Sequence, residues 1–191
     1  MNNATVSCEI NILKNKAKYY WQYNCDKIWL TLETINGKSI ILNEVPVKYY
    51  SYTYRLGFHF VKEFQNAILF RSGCPANGPC FYTLIEKTTG KKIKQFGQLI
   101  CIDTDLNNEE YKFNFLVYLT DEKLNLYFVN TKKIISVPFT KNGLKNIIPE
   151  FGLTNLTLKN NKIRINYESD LDEKHLNIQK ILVIDLKKYS R

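Results

Sequence analysis

Short stretches in which apolar and polar residues alternate cover most of the chain, and turn-forming residues follow each of them. The clearest is residues 27–35, which lead to Asn36-Gly37 and return through residues 38–42. Alternation with a period of two predicts β-strands, and Asn-Gly is a strong hairpin signal because both residues accept positive φ. Residues 80–96 repeat this pattern around a Thr-Gly turn. We therefore predict antiparallel hairpins.

Hairpins of this kind recur along the whole chain, at intervals of roughly 45 to 55 residues. Further strand-like segments precede these hairpins. The one predicted element that is not a strand is a short helix at residues 141–150. This spacing is typical of four-stranded blades, so we predict an all-β fold of antiparallel meanders in a small, about four-bladed propeller-like arrangement. A β-sandwich is the alternative. The length fits a single β-rich domain spanning residues 1–191.

Composition supports strands and leaves the partner open. The chain has 13 Tyr and 11 Phe but one Met, and aromatic side chains favour pleated surfaces. The net charge of +9 permits an anionic partner, yet the lysines occur in small groups at turns, as expected of a solvated surface. Nucleic acid is therefore not the expected partner. No apolar run is long enough to span a membrane.

Five cysteines bear on the cellular compartment. Cys74 and Cys80 enclose a short loop rich in Pro and Gly, so we predict a disulfide between them. Cys8 and Cys25 fall in the first two predicted strands and are the expected second pair, which leaves Cys101 as a buried thiol, although Cys101 pairing with either remains an alternative. Zinc is not expected because CxxC-like spacing is missing.

The disulfide loop indicates an oxidising compartment. We therefore expect a periplasmic or secreted bacterial protein, although residues 1–5 show neither the positive nor the apolar region of a signal peptide. A cytosolic protein with reduced thiols is the competing interpretation.

The sequence contains no recognisable catalytic motif. His59 and His175 are the only histidines, and each has a structural explanation, as a strand residue and a loop residue. We predict no enzymatic activity, no cofactor and no metal. Two acidic loops are the nearest approach to a calcium or glycoside-hydrolase site, but they lack the Gly and Glu of a calcium-binding loop. Their carboxylates belong to Asp103, Asp105, Glu109, Glu110, Asp170, Asp172 and Glu173.

Residues 48–55 form the most distinctive segment because tyrosines dominate it. As a strand it would present Tyr50, Tyr52 and Tyr54 on one face, and Tyr49, Ser51, Thr53 and Arg55 on the other. Such a face suits partner binding, and a ladder that only stabilises the sheet is the other interpretation. The disulfide loop offers further expected contacts, namely Pro75, Asn77 and Pro79.

These expectations favour an exported, non-enzymatic binding protein that blocks a partner protein, as inhibitors and immunity proteins do. One alternative is an envelope polysaccharide hydrolase or carbohydrate-binding module that uses the acidic loops. A second alternative is a cytosolic nucleic-acid binder that uses Lys48, Arg55 and Arg71 together with the tyrosines of residues 48–55. The sequence leaves the oligomeric state open.

Overall fold

The computed structural model describes residues 8–52, 57–73, 80–97, 99–101, 115–120, 123–138, 153–169 and 178–189. The chain divides into two compact units, residues 1–98 and residues 99–191. Each unit contains two antiparallel sheets, and every sheet is built from consecutive strands. The all-β prediction is therefore confirmed, whereas the single-domain assignment stays a prediction.

The first sheet of the first unit is a four-stranded meander in the order β1-β2-β3-β4. Its strands are Asn11–Ile12, Lys18–Tyr23, Lys27–Glu33 and Ser39–Pro46. The predicted hairpin at Asn36-Gly37 is confirmed as the β3–β4 connection, but the expectation that both residues have positive φ is wrong for Asn36. Only Gly37 has positive φ, at 74°, because residues 35–37 form a three-residue loop rather than a two-residue turn.

The second sheet of this unit has the order β5-β6-β7-β8. Its strands are His59–Glu63, Ala67–Ser72, Phe81–Glu86 and Lys92–Phe96. The predicted Thr-Gly hairpin is confirmed between β7 and β8, where Gly90 has a φ of 66°. In β6 and β7, four consecutive residues are buried, so this sheet is covered on both faces at its centre.

The core of the first unit lies between its two sheets. Side chains from β3 alternate into it, as the period of two requires. Aromatic rings extend the core at one side, where the Phe58 and Phe70 rings stack 5.5 Å apart and the Tyr19 ring meets Phe70 edge-on. The buried members of the core are Leu13, Ala17, Leu30, Leu32, Ile68, Phe70 and Ile85.

The second unit begins with the third sheet, in the order β12-β11-β10-β9. Its strands are Leu99–Cys101, Phe115–Thr120, Lys123–Phe128 and Ile134–Pro138. The central strands β10 and β11 each contain four consecutive buried residues, as in the second sheet.

The fourth sheet has three described strands in the order β13-β14-β15. They span Leu153–Lys159, Lys162–Ser169 and Ile178–Asp185. Asn160 and Asn161 connect the first two with φ of 52° and 60°, as in a type I′ turn. Side chains of the third and fourth sheets share one core, namely Phe115, Val117, Leu124, Leu126, Ile135, Val137, Leu156, Ile163, Ile165, Leu182 and Ile184.

The described helical structure is limited to two short 3₁₀ helices, Val47–Tyr52 and Leu186–Tyr189. Neither is long and apolar enough to cross a membrane. The helix expected at residues 141–150 lies outside the described residues. None of the four described sheets closes on itself, so the propeller-like arrangement and the sandwich alternative both stay predictions.

Candidate interaction face

The tyrosine segment does not form the expected strand. β4 ends at Pro46, and Val47–Tyr52 continues as a 3₁₀ helix, so Tyr50 and Tyr52 do not alternate on a strand face. The Val47 N–H donates to the Asp26 carbonyl oxygen, 2.7 Å away, one pair beyond Lys27 and Pro46 in the β3–β4 register, and the chain then leaves the sheet as the 3₁₀ helix. Tyr54 and Arg55 lie outside the described residues.

The expected Cys8–Cys25 disulfide is also wrong. Both cysteines are exposed, neither lies in a strand, and no disulfide joins two of the described cysteines. Cys25 occupies the β2–β3 turn, where the Asn24 side-chain oxygen accepts hydrogen bonds from the backbone N–H groups of Asp26 and Lys27, both at 2.9 Å. The turn therefore displays Cys25 at its tip, away from any strand pairing.

The loop between β6 and β7 contains the other expected disulfide. Cys74, Pro75, Asn77 and Pro79 lie outside the described residues, while Cys80 directly precedes β7. The Cys74–Cys80 disulfide therefore stays a prediction, as does its role in binding. The backbone of Cys101 lies in β9.

The candidate catalytic groups are not brought together in the part of the chain that the structure describes. His59 lies in β5 opposite Arg71, and its Nε2 atom is buried with no hydrogen-bond partner there. Within the same ranges, no group of three His, Cys, Asp or Glu is placed to hold a metal ion. His175 and all seven acidic-loop residues lie outside them.

A different surface combines aromatic, aliphatic and polar side chains. Ile28, Leu30 and Leu32 of β3 are buried, so the intervening residues of β3 and their cross-strand partners point to the opposite side. We call that opposite side the outer face of the first sheet. Its members are Ile12, Lys18, Tyr20, Gln22, Lys27, Trp29, Thr31, Glu33, Ile41 and Glu44.

A hydrogen-bond network fixes the centre of the outer face. The Trp29 indole N–H donates to Gln22 Oε1 at 3.1 Å, and the Thr31 hydroxyl donates to the same oxygen at 2.6 Å. The Gln22 amide nitrogen has no hydrogen bond to a described residue. The network therefore orients the indole ring while leaving two N–H donors of an exposed side chain for a ligand.

Ion pairs balance the charge of the outer face. Lys18 Nζ lies 3.4 Å from Glu33 Oε1, and Lys27 Nζ lies 2.7 Å from Glu44 Oε2. The Lys27 ammonium also lies 5.8 Å from the centre of the Trp29 ring. Because two lysines face two glutamates, the outer face carries no net charge even though the chain carries +9.

Exposed aliphatic side chains flank this network. Ile41, opposite Thr31 in the β3–β4 register, is 54% exposed, and Ile12, opposite Lys18 in the β1–β2 register, is 72% exposed. The sequence pattern does not reveal this face, because the strand at residues 18–23 lacks a clear alternation of apolar and polar residues. Its sequence, Lys-Tyr-Tyr-Trp-Gln-Tyr, holds polar and aromatic residues at both alternating sets of positions, so the buried side is not evident.

Fold and surface together define an antiparallel all-β protein of meander sheets with one charge-balanced aromatic face. No protein-family model matches the chain, and neither a curated protein nor a solved structure is significantly similar to it.

Proposed function

We propose that the protein is an exported, non-enzymatic binding protein of the inhibitor or immunity type, which recognises a partner protein through the outer face of the first sheet. The observation that carries this proposal is the combination of exposed Ile12 and Ile41 with a Trp29 ring held by Gln22. Protein interfaces have this composition, with apolar and aromatic contacts at the centre and charged groups at the rim.

The fixed geometry of the outer face favours tight binding. Trp29 and Thr31 are already hydrogen-bonded to Gln22, and both lysines are already paired. A surface whose side chains are ordered before binding loses less conformational entropy when the partner arrives. Tryptophan and tyrosine are also the residues that most often dominate binding energy at protein interfaces. Trp29 and Tyr20 are therefore the expected anchors.

The charge balance of the outer face argues against nucleic acid at this surface. Binding to a phosphate backbone depends on unpaired Lys and Arg, whereas Lys18 and Lys27 each already contact a carboxylate. The polysaccharide-hydrolase alternative depends on acidic loops that lie outside the described residues, so no observation favours it. Aromatic side chains can also bind a neutral glycan, so binding of a neutral oligosaccharide is one of the outcomes that the test distinguishes.

The test uses a photo-crosslinking amino acid at Ile41, with the same residue at Ile134 as the matched control. Ile134 is also an exposed strand isoleucine, but it belongs to the third sheet. A partner captured at Ile41 alone is purified, and its affinity is then measured for the wild type, Ile41→Glu and Ile134→Glu. We expect Ile41→Glu to weaken binding at least about tenfold and Ile134→Glu to leave it unchanged.

Two results would overturn the proposal. Equal effects of Ile41→Glu and Ile134→Glu on affinity would show that the outer face is not the contact surface. Binding of a neutral oligosaccharide that depends on Trp29, without any protein partner at Ile41, would instead establish a carbohydrate-binding module.

The propeller-like arrangement is part of the same proposal. Four successive antiparallel meanders support it, three with four described strands and the last with three. An experimental structure of the intact chain tests this arrangement, since two facing layers of sheets would establish the sandwich instead.

A further inference from the structure

The fourth sheet ends in a long edge strand. β15 has eight residues and pairs with β14 along its full length, and no described strand pairs with its other side. Its outward side chains include Ile181 and Val183, which are 60% and 49% exposed, while Leu182 and Ile184 enter the core. An edge that no described strand covers is a template for pairing with another strand.

The hydrogen-bond phase shows which backbone groups face the open edge. The Leu186 N–H donates to the Asn161 carbonyl oxygen at 2.8 Å, so these two residues are a hydrogen-bonded pair. Ile184 and Ile163 lie opposite each other two positions further along the same register, and they are therefore the next hydrogen-bonded pair. In an antiparallel ladder, alternate residues direct both backbone groups to the paired strand, and the residues between them direct both groups away. Ile181 and Val183 therefore present their N–H and C=O groups at the open edge.

The side of the fourth sheet that carries Ile181 and Val183 is basic. The β13–β14 and β14–β15 registers place Lys159, Lys162 and Arg164 on it, and all three are exposed. None of these three forms an ion pair with a described residue. The same register places two acidic residues on this side, Glu168 and Asp185, and the Asp185 side chain already accepts the Lys187 backbone N–H at 3.0 Å, so basic residues outnumber acidic ones by three to two. This surface therefore differs in charge from the outer face of the first sheet.

From these observations we propose that β15 binds an extended acidic segment of a partner protein by strand addition. The segment's backbone pairs with the exposed N–H and C=O groups of Ile181 and Val183, which gives affinity. Its carboxylates lie on the side that carries Arg164 and Lys162, which gives selectivity for acidic sequences. A peptide is favoured over nucleic acid because the open edge offers alternating backbone donors and acceptors, which match another strand.

The first test measures binding of synthetic peptides to the intact protein by fluorescence anisotropy. The probe is an eight-residue peptide of alternating Glu and Val, the same length as β15. We expect N-methylation of alternate residues along one edge of the peptide to weaken binding about tenfold, because two backbone hydrogen bonds are lost. The same methylation on the other edge is the control and leaves the affinity unchanged. A peptide of alternating Lys and Val is expected not to bind.

The second test changes the protein. Arg164→Gln is expected to weaken binding of the Glu-Val peptide about threefold to tenfold at low salt. Lys38→Gln makes the same charge change at an exposed turn of the first sheet, and it is expected to leave the affinity unchanged. Val183→Pro removes an outward N–H without removing a bond to β14, and it is also expected to abolish peptide binding. Circular dichroism and thermal unfolding confirm that both fourth-sheet variants are folded.

Several outcomes would overturn the inference. Equal binding of both N-methylated peptides would exclude strand addition. Tighter binding of a single-stranded oligonucleotide than of the peptide, lost in Arg164→Gln, would assign the basic surface to nucleic acid. Sedimentation that shows a dimer abolished by Val183→Pro would assign the edge to a second copy of this chain.

Discussion

Lys87 Nζ lies 2.6 Å from Glu63 Oε1, and the two side chains are 2% and 11% exposed. The same carboxylate oxygen accepts the Lys14 backbone N–H at 2.9 Å. Glu63 belongs to β5, Lys87 follows β7, and Lys14 precedes β2. Glu63 therefore connects the two sheets of the first unit, because it forms an ion pair within the second sheet and accepts a backbone hydrogen bond from the β1–β2 connection of the first.

Breaking the pair from one side is expected to be costly. Lys87→Met leaves a carboxylate with little solvent and one remaining donor, so we expect a loss of about 3 kcal/mol in the free energy of unfolding. The double variant Lys87→Met with Glu63→Gln keeps an oxygen for Lys14 but removes the unpaired charge, and it is expected to be more stable than Lys87→Met alone. Urea unfolding measures both. A double variant less stable than the single one would contradict this account.

Gly37 and Gly90 both have positive φ but differ in their surroundings, so alanine substitutions at the two positions distinguish the cost of backbone strain from the cost of a steric clash. A Cβ at Gly37 meets nothing within 4 Å, whereas a Cβ at Gly90 would lie 2.8 Å from Ile40 Cγ2. We expect Gly37→Ala to cost about 1 kcal/mol through its φ alone, and Gly90→Ala to cost more. Ile40→Ala made in the Gly90→Ala background is the control. It should recover part of the loss in chemical denaturation, and equal costs for the two alanines would show that Ile40 moves freely.

One substitution is expected to have opposite effects in two turns. Asn161 has a φ of 60°, so Asn161→Gly relieves strain in the β13–β14 turn and should stabilise the protein by about 0.5 kcal/mol. Asn36 does not have positive φ, so Asn36→Gly relieves no strain in the folded state. It increases the conformational entropy of the unfolded chain and should therefore destabilise the protein. Thermal unfolding of both variants compares the signs, and a shared sign would refute the turn assignments.

Stability is expected to decrease at alkaline pH, partly because of Tyr19. Its pKa is raised above the ordinary value of 10.0, mainly by burial and further by the nearby Glu63 carboxylate. The native state therefore keeps this proton while the unfolded chain releases it, so stability falls as the pH rises above about 10, until the native pKa is reached.

Tyr19→Phe removes this contribution. Between about pH 8 and about pH 11, its denaturation midpoint should decrease less than that of the wild type. Tyr23→Phe, at a position that is 67% exposed, is the matched control. An identical pH dependence for wild type and Tyr19→Phe would exclude Tyr19 as a source of the decrease.

The cysteines give a direct test of the expected disulfide. Cys25 is exposed at a turn, so it should react with an alkylating reagent without reduction. If Cys74 and Cys80 are bridged, protein from its native compartment should have an intact mass lower by two hydrogen atoms, and both cysteines should react only after reduction. Alkylation of both without a reductant would remove the argument for export.

The hairpins were predictable because their information is local. Residues 27–42 and 80–96 contain both the alternation and the turn glycine, and meander pairing needs only neighbouring strands. The Asn160-Asn161 turn carried the same kind of signal, since asparagine tolerates positive φ. The β1–β2 region was harder to assign because its aromatic residues fall on both faces of the strand.

The candidate site was not predictable in the same way. Residues 48–52 alternate like a strand, yet the chain leaves the sheet after the Val47–Asp26 hydrogen bond and forms the 3₁₀ helix Val47–Tyr52. Lys87 has the side chain of a surface residue, and its burial is compensated by Glu63, which is distant in sequence. Such partners are absent from any local window.

The sequence by itself therefore determined the all-β class and the strands joined by short turns, since backbone alternation and turn chemistry act over a few residues. Tertiary structure decided that Gln22 fixes Trp29, that Glu63 pairs with Lys87, and that Ile181 and Val183 lie at an open edge. These relationships depend on strand register and on which faces and edges are covered, and neither can be read from the alternation within a single strand.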